Sequence, residues 1–116
     1  MTITEAASAV GGTVANPDVP GATAVRGGYA SDLLSDVMAN AEDGDVWVTM
    51  QLHVNVVAVA QLKNLAGIVI VGGRDPEPGT VARATEHGVT IVTTALTAFD
   101  AVGRLYQLGL RGRQSA

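Results

Sequence analysis

VWVTMQLHVNVVAVAQLKNLAGIVIVGG, residues 46–73, reads as strand, helix, strand. Val46, Trp47, Val48, Met50 and Leu52 form a mostly apolar run of residues that suit a pleated strand. Thr49, Gln51 and His53 alternate with them, so in an extended chain all three project from one face. From Asn55, which has the chemistry of an N-cap, the run Val56, Val57, Ala58, Val59, Ala60, Leu62, Leu65 is apolar almost all round, which predicts a buried helix. Ile68 to Val71 then form an aliphatic strand that ends at Gly72-Gly73. A strand without a polar face is covered on both sides and belongs to a parallel sheet.

Working outward, Thr80 is expected to cap a helix running to His87, Val89–Thr93 is the next strand, and Thr97 caps the last helix. Asp100, three residues after Thr97, makes a partial capping box. Phe99, Val102, Leu105 and Tyr106 stand at helical spacing and are expected to pack that helix on the sheet. Upstream, Thr4–Val10 reads as a short helix, Thr13–Ala15 as a short strand, and Ala22–Arg26 as a strand closed by Gly27-Gly28. Ser31 is the expected cap of a helix over Asp32–Ala41, whose buried face is Leu33, Leu34, Val37, Met38 and Ala41. Asp32 and Asp36 read as helix N-terminal charge facing solvent, and Trp47 reads as core. The predicted fold is a single α/β domain over residues 1–110, a two- or three-layer sandwich with flanking helices. Its sheet is mainly parallel, with the direction of the N-terminal strands open, and residues 111–116 form a loose tail.

Composition narrows the function. With 116 residues, 47% of them hydrophobic but only 3% aromatic, the core is aliphatic and offers few platforms for stacking bases. A net charge of −4 argues against broad binding to nucleic acid or an anionic membrane. Arg104, Arg111 and Arg113 read as a solvated C-terminal stretch. There is no Cys, so disulfides, thiolate metal sites and thiol catalysis are excluded. No apolar run approaches the roughly 20 residues that span a bilayer, and the N-terminus lacks a signal-peptide pattern. The expectation is a soluble, cytoplasmic protein.

Ligands of parallel sheets bind beyond the carboxyl ends of the strands, next to helix N-termini. The candidate ligand-binding residues are therefore Gln51, His53 and Asn55 after the first strand, Gly72, Gly73 and Arg74 after the second, and Thr93 and Thr94 after the third. His53 is either a ligand contact or a polar tie for the strand end. Gly72-Gly73 is either a phosphate-facing turn or a plain exit from a buried strand, and Arg74 either holds an anion or pairs with Asp75 or Glu77. No nucleophile–base pair is visible, so no catalytic residue is assigned. His53 and His87 are the only two histidines and no carboxylate spacing around them forms a metal shell, so no metal or cofactor is expected.

At GGYASDLLSDVM, WVTMQLHVNVVAVA, IVIVGG and TAFDAVGRLYQLG, from about Gly21 to Gly109, the chain resembles the DRTGG domain family. Members of that family stand alone, precede some phosphotransacetylases, or lie between CBS domains in regulated pyrophosphatases, and are similar in fold to the N-terminal domain of HPr kinase/phosphorylase. The resemblance implies a small, non-catalytic regulatory module that forms a homodimer. In the CBS-containing pyrophosphatases the regulatory region binds adenine nucleotides, so an adenine nucleotide and a partner enzyme are the implied partners. The chain departs from the family pattern at Leu52-His53-Val54, which has no Asp-Arg pair, and at Val71-Gly72-Gly73, which lacks the Thr.

Overall fold

A computed structural model describes residues 1–112. In chain order the elements are α1 (Ile3–Ala9), β1 (Thr13–Val14), β2 (Gly27–Ala30), α2 (Leu34–Asn40), β3 (Asp45–Thr49), α3 (Asn55–Leu62), β4 (Gly67–Ile70), α4 (Pro78–Glu86), β5 (Ile91–Thr93) and α5 (Ala98–Gln107). The five strands form one sheet in the order β1-β5-β4-β3-β2. β2, β3, β4 and β5 run parallel, and β1 pairs antiparallel with β5 through Thr13↔Thr93 and Val14↔Val92. The sheet is mixed but mainly parallel, as expected.

Alternation along β3, β4 and β5 sends neighbouring side chains into two separate cores. Val46, Val48, Val69, Val71 and Val92 meet Ile3, Ala6, Ala7 and Val10 of the α1 segment and Ala101 and Leu105 of α5. Trp47, Ile68, Ile70 and Ile91 meet Val37 of α2, Val56, Val57 and Ala60 of α3, and Ala84 of α4. The result is a helix–sheet–helix sandwich. Burying each such Val or Ile contributes about 1.5–3 kcal/mol, which is why both faces must be covered. Trp47 is fully buried and its Nε1 donates to Ser31 O at 2.8 Å.

Several local expectations need correction. β2 is Gly27–Ala30, not Ala22–Arg26; only Ala24 of the earlier segment bridges, to Thr2. Pairing with β3 overrides the low strand propensity of the glycines. β3 stops at Thr49, so Met50 is 41% exposed and Thr49, Gln51 and His53 do not line one face. α2 begins at Leu34 with Leu33, not Ser31, at its N-cap, and Leu33 and Met38, expected on its buried face, are 64% and 37% exposed. α4 begins at Pro78, whose fixed φ suits the first helical position, which moves Thr80 inside the helix. α3 has an exposed stripe after all: Ala58 faces solvent and Leu62 is 73% exposed, since an outer helix buries only the side turned to the sheet and its flanking helices. In α5, Leu105 is buried as expected and Thr97 accepts from Asp100 N, but Phe99, Val102 and Tyr106 are 87%, 38% and 54% exposed. Leu110, at the expected domain end, and Arg111, expected in the loose tail, are both tied down. Leu110 N donates to Leu105 O, and Arg111 O accepts from Gly28 N on the outer edge of β2. Arg113, with the rest of the expected tail, lies outside the described residues.

Buried Asn16 closes the opposite end of the sheet. Its Nδ2 donates to Val89 O at 2.6 Å and its Oδ1 accepts from Ile91 N at 2.9 Å. Asn16→Ala leaves two buried backbone groups unpaired and is expected to cost about 2–4 kcal/mol, read as a lower urea midpoint at unchanged slope. A second polar contact joins β2 to α2. Tyr29 Oη lies 2.9 Å from each carboxylate oxygen of Asp36, and Asn40 Nδ2 donates to the same group. The Ser31, Asn40 and Tyr29 donors hold the Asp36 carboxyl below its ordinary range, while that carboxylate pushes the Tyr29 phenol upward. Asp36 therefore stabilises the fold above the ordinary carboxylate range, and that contribution is lost as pH falls through its lowered value. The Tyr29 contribution is present below the ordinary phenol range and is lost as pH rises through its raised value. Urea midpoints measured across pH are expected to fall less steeply at the acid end in Asp36→Asn and less steeply at the alkaline end in Tyr29→Phe.

Candidate functional site

The carboxyl ends of β2, β3, β4 and β5 share one rim of the sheet, and the loops that leave them are laced together. Asp32, just after β2, is the node. Its Oδ1 accepts from Thr49 Oγ1 at 2.9 Å and from Met50 N at 2.7 Å. The buried Thr49 hydroxyl in turn accepts from Gln51 N at 3.1 Å, and Gln51 Nε2 donates back to Asp32 O at 2.8 Å. These bonds take the chain out of the sheet at Thr49 and fix the β3–α3 loop. Leu52 O then accepts from Thr80 Oγ1 at 2.8 Å and Glu77 N at 3.2 Å, which fastens that loop to α4.

His53 does locally what Asn55 was expected to do. Its Nδ1 accepts from Asn55 N at 3.1 Å in the first turn of α3, and the helix cap itself, Val54, has no side-chain bond. With Nδ1 as acceptor, Nε2 is the ring's donor and sits on an exposed side chain. Arg74 reaches across from the β4–α4 loop, Nη1 donating to Met50 O at 3.4 Å. It pairs with neither Asp75 nor Glu77 among the described residues. Arg74 thus meets the chain as it leaves β3, at Met50, Gln51 meets it after β2, at Asp32, and His53 and Asn55 follow Gln51 along the same loop into α3.

The other four candidates are engaged within the fold. Gly72 and Gly73 have φ of +82° and +68°, a left-handed turn that side chains resist. Their N–H groups donate to Leu96 O at 2.7 Å and Thr94 O at 3.0 Å, so they brace the β5–α5 loop rather than face outward. Thr94 is buried, its Oγ1 donating to Val10 O at 2.7 Å and accepting from Leu96 N. Thr93 is half-buried and pairs with Thr13 at the β5–β1 seam. Among the described residues no group of three or more His, Asp or Glu could hold a metal ion. No described helix is long and apolar enough to cross a membrane.

Two clefts lie along α5. One, of about 90 Å³, sits between β2 and α5 over Gly28, Val48, Leu105 and Leu110. Gly28 has no side chain to fill it, and Arg111 closes it, its guanidinium 3.6 Å above the Tyr106 ring. The other is an open depression of about 460 Å³ over Phe99, Val102, Gly103 and Tyr106. Sequence reasoning missed the role of Asp32, because a carboxylate at a helix start already has a sufficient explanation. The available signal was its place directly after a strand that neighbours β3.

No family model matches the chain, and no curated protein matches it. A solved structure does: the CBS and DRTGG domains of the regulatory region of Clostridium perfringens pyrophosphatase, complexed with its activator diadenosine tetraphosphate. The match has a TM-score of 0.71 at 14% identity and covers 91% of this chain and 46% of that chain. The present chain therefore spans about half the length of that regulatory region, and at this identity the likeness is one of architecture. The α/β sandwich described above is the fold of a DRTGG-like domain.

Proposed function

We propose that the chain is a non-catalytic regulatory module that senses an adenine nucleotide or a similar anionic small molecule at the carboxyl ends of its strands, as a homodimer in the cytoplasm. The observation that carries this reading is Arg74. It is an exposed cation held over the β3 end by one long bond to Met50 O, without a carboxylate partner among the described residues. A phosphate there would gain charge-assisted hydrogen bonds from the guanidinium. His53 Nε2, Gln51 and Asn55 stand on the adjoining loop and helix start as further polar contacts. The regulatory nature of the pyrophosphatase region, and the nucleotide activator bound to it, support the same reading. The laced loops favour it too, since a pre-organised rim lowers the ordering cost of binding.

A second reading is favoured by a different observation, the exposed apolar side of α5. In it the chain is a ligand-free interaction domain that docks on a partner enzyme. A thermal-shift panel of AMP, ADP, ATP, diadenosine polyphosphates, acetyl phosphate and cyclic nucleotides separates the two. A ligand at about 100 times its dissociation constant adds about 2.7 kcal/mol, roughly 10 °C or more in midpoint for a domain of this size. The sensor reading expects such a shift from one compound, lost in Arg74→Ala and weakened in His53→Ala. A flat panel with a correctly folded protein overturns it and leaves the interaction domain.

A further inference from the structure

Helix α5 has two apolar stripes where an outer helix needs one. Ala101 and Leu105, 0% and 4% exposed, turn toward the sheet and are sufficient to seat the helix. Phe99, Val102 and Tyr106 recur three and four residues apart on another side and are 87%, 38% and 54% exposed. At 3.6 residues per turn they fall within about 60° of one another, a continuous ridge. Gly103 lies beside that ridge at its midpoint and lines the same depression. A Cβ at Gly103 would meet nothing within 4 Å, so packing inside the subunit does not call for glycine there. Glycine in a helix interior nonetheless costs about 1 kcal/mol relative to alanine. A glycine with open space above it suits the close approach of another backbone.

We propose that this ridge is where two copies of the chain meet, α5 against α5, antiparallel, about a two-fold axis passing between Val102 and Gly103. The proposal rests on the homodimer reading and supplies its interface. The occupant is a second copy because the surface is complementary to itself, as a two-fold contact requires. Val102, a knob, lies opposite the partner's Gly103, a hollow. Phe99 lies opposite the partner's Tyr106, and aromatic pairs of this kind add to the burial of their area. Asp100 and Arg104, four residues apart on one flank of the helix, come opposite the partner's Arg104 and the partner's Asp100, opposite charges in both cases. A parallel arrangement would instead put Asp100 and the partner's Asp100 on opposite sides of the seam, where neither meets an Arg104.

Sedimentation velocity and light scattering on the whole chain test this, with folding checked by circular dichroism and by the fluorescence of Trp47. The chain is expected to dimerise, and Phe99→Asp and Gly103→Leu, both at exposed positions, are each expected to weaken the dimer by about tenfold or more. Leu62→Asp, on the opposite layer, is expected to leave it unchanged. Asp100→Arg and Arg104→Asp are each expected to weaken the dimer, and the double exchange to restore it. The natural absence of Cys allows a direct check of direction: an oxidised mixture of Phe99→Cys and Tyr106→Cys chains is expected to give the mixed disulfide in preference to either like pair. A dimer that survives both Phe99→Asp and Gly103→Leu overturns the α5 interface while leaving the homodimer reading intact. A dimer lost in Phe99→Asp but indifferent to Gly103→Leu overturns the close crossing. A wild-type chain that stays monomeric at every concentration overturns the interface and the homodimer together.

Discussion

Strands β3 and β4 have no exposed face. Val46 and Val48 point one way, Trp47 the other, and Val69 and Val71 oppose Ile68 and Ile70 in the same manner. A sheet whose central strands are apolar on both sides has to be roofed twice, and the rest of the architecture follows. α2, α3 and α4 cover the Trp47 side, while α1 and α5 cover the valine side. The parallel crossovers that carry α3 and α4 also deliver their loops to one rim. The concentration of polar groups around Asp32 is thus a consequence of how the apolar strands are covered.

Coverage is uneven, and the unevenness has chemical meaning. Helices α1 and α5 serve a face that three helices serve on the other side. Near β2, where Gly28 presents no side chain, α5 leaves a cleft that Leu110 and Arg111 partly fill. The same segment occupies the outer N–H of Gly28, which blunts the exposed edge of the sheet. At the other margin β1 is only two residues long, too short to recruit a further strand.

Much of this was legible in the sequence, and the exceptions are instructive. Ile68–Val71 announces a buried parallel strand because nothing else explains four aliphatic residues between glycine and a glycine pair. Gly27-Gly28 was unreadable as strand, since pairing with Val46 and its neighbours is a long-range fact that local propensity cannot contain. Helical spacing joined Phe99, Val102, Leu105 and Tyr106 as one packing face, of which only Leu105 is buried, because periodicity identifies a stripe without saying what faces it. Only the burial of Ala101 and Leu105 shows which side of α5 is turned inward. At the rim, the placement of Gln51, His53 and Asn55 after β3 and of Arg74 after β4 followed from fold class alone. The engagement of Gly72, Gly73 and Thr94 by neighbouring backbone did not, because hydrogen-bond partners drawn from distant loops leave no trace in spacing.

The clasp made by Asn16 also bears on the order of events during synthesis. Its two bonds join residues 73 and 75 positions apart, and Thr94 Oγ1 reaches back 84 positions to Val10. Strand β1 therefore has no strand to pair with until β5 has left the ribosome. Contacts between such distant segments close late, after the shorter loops between β2 and β5 have already formed. Until then the backbone of Thr13 and Val14 stays unpaired on the nascent chain, a strand edge of the kind that invites misassembly.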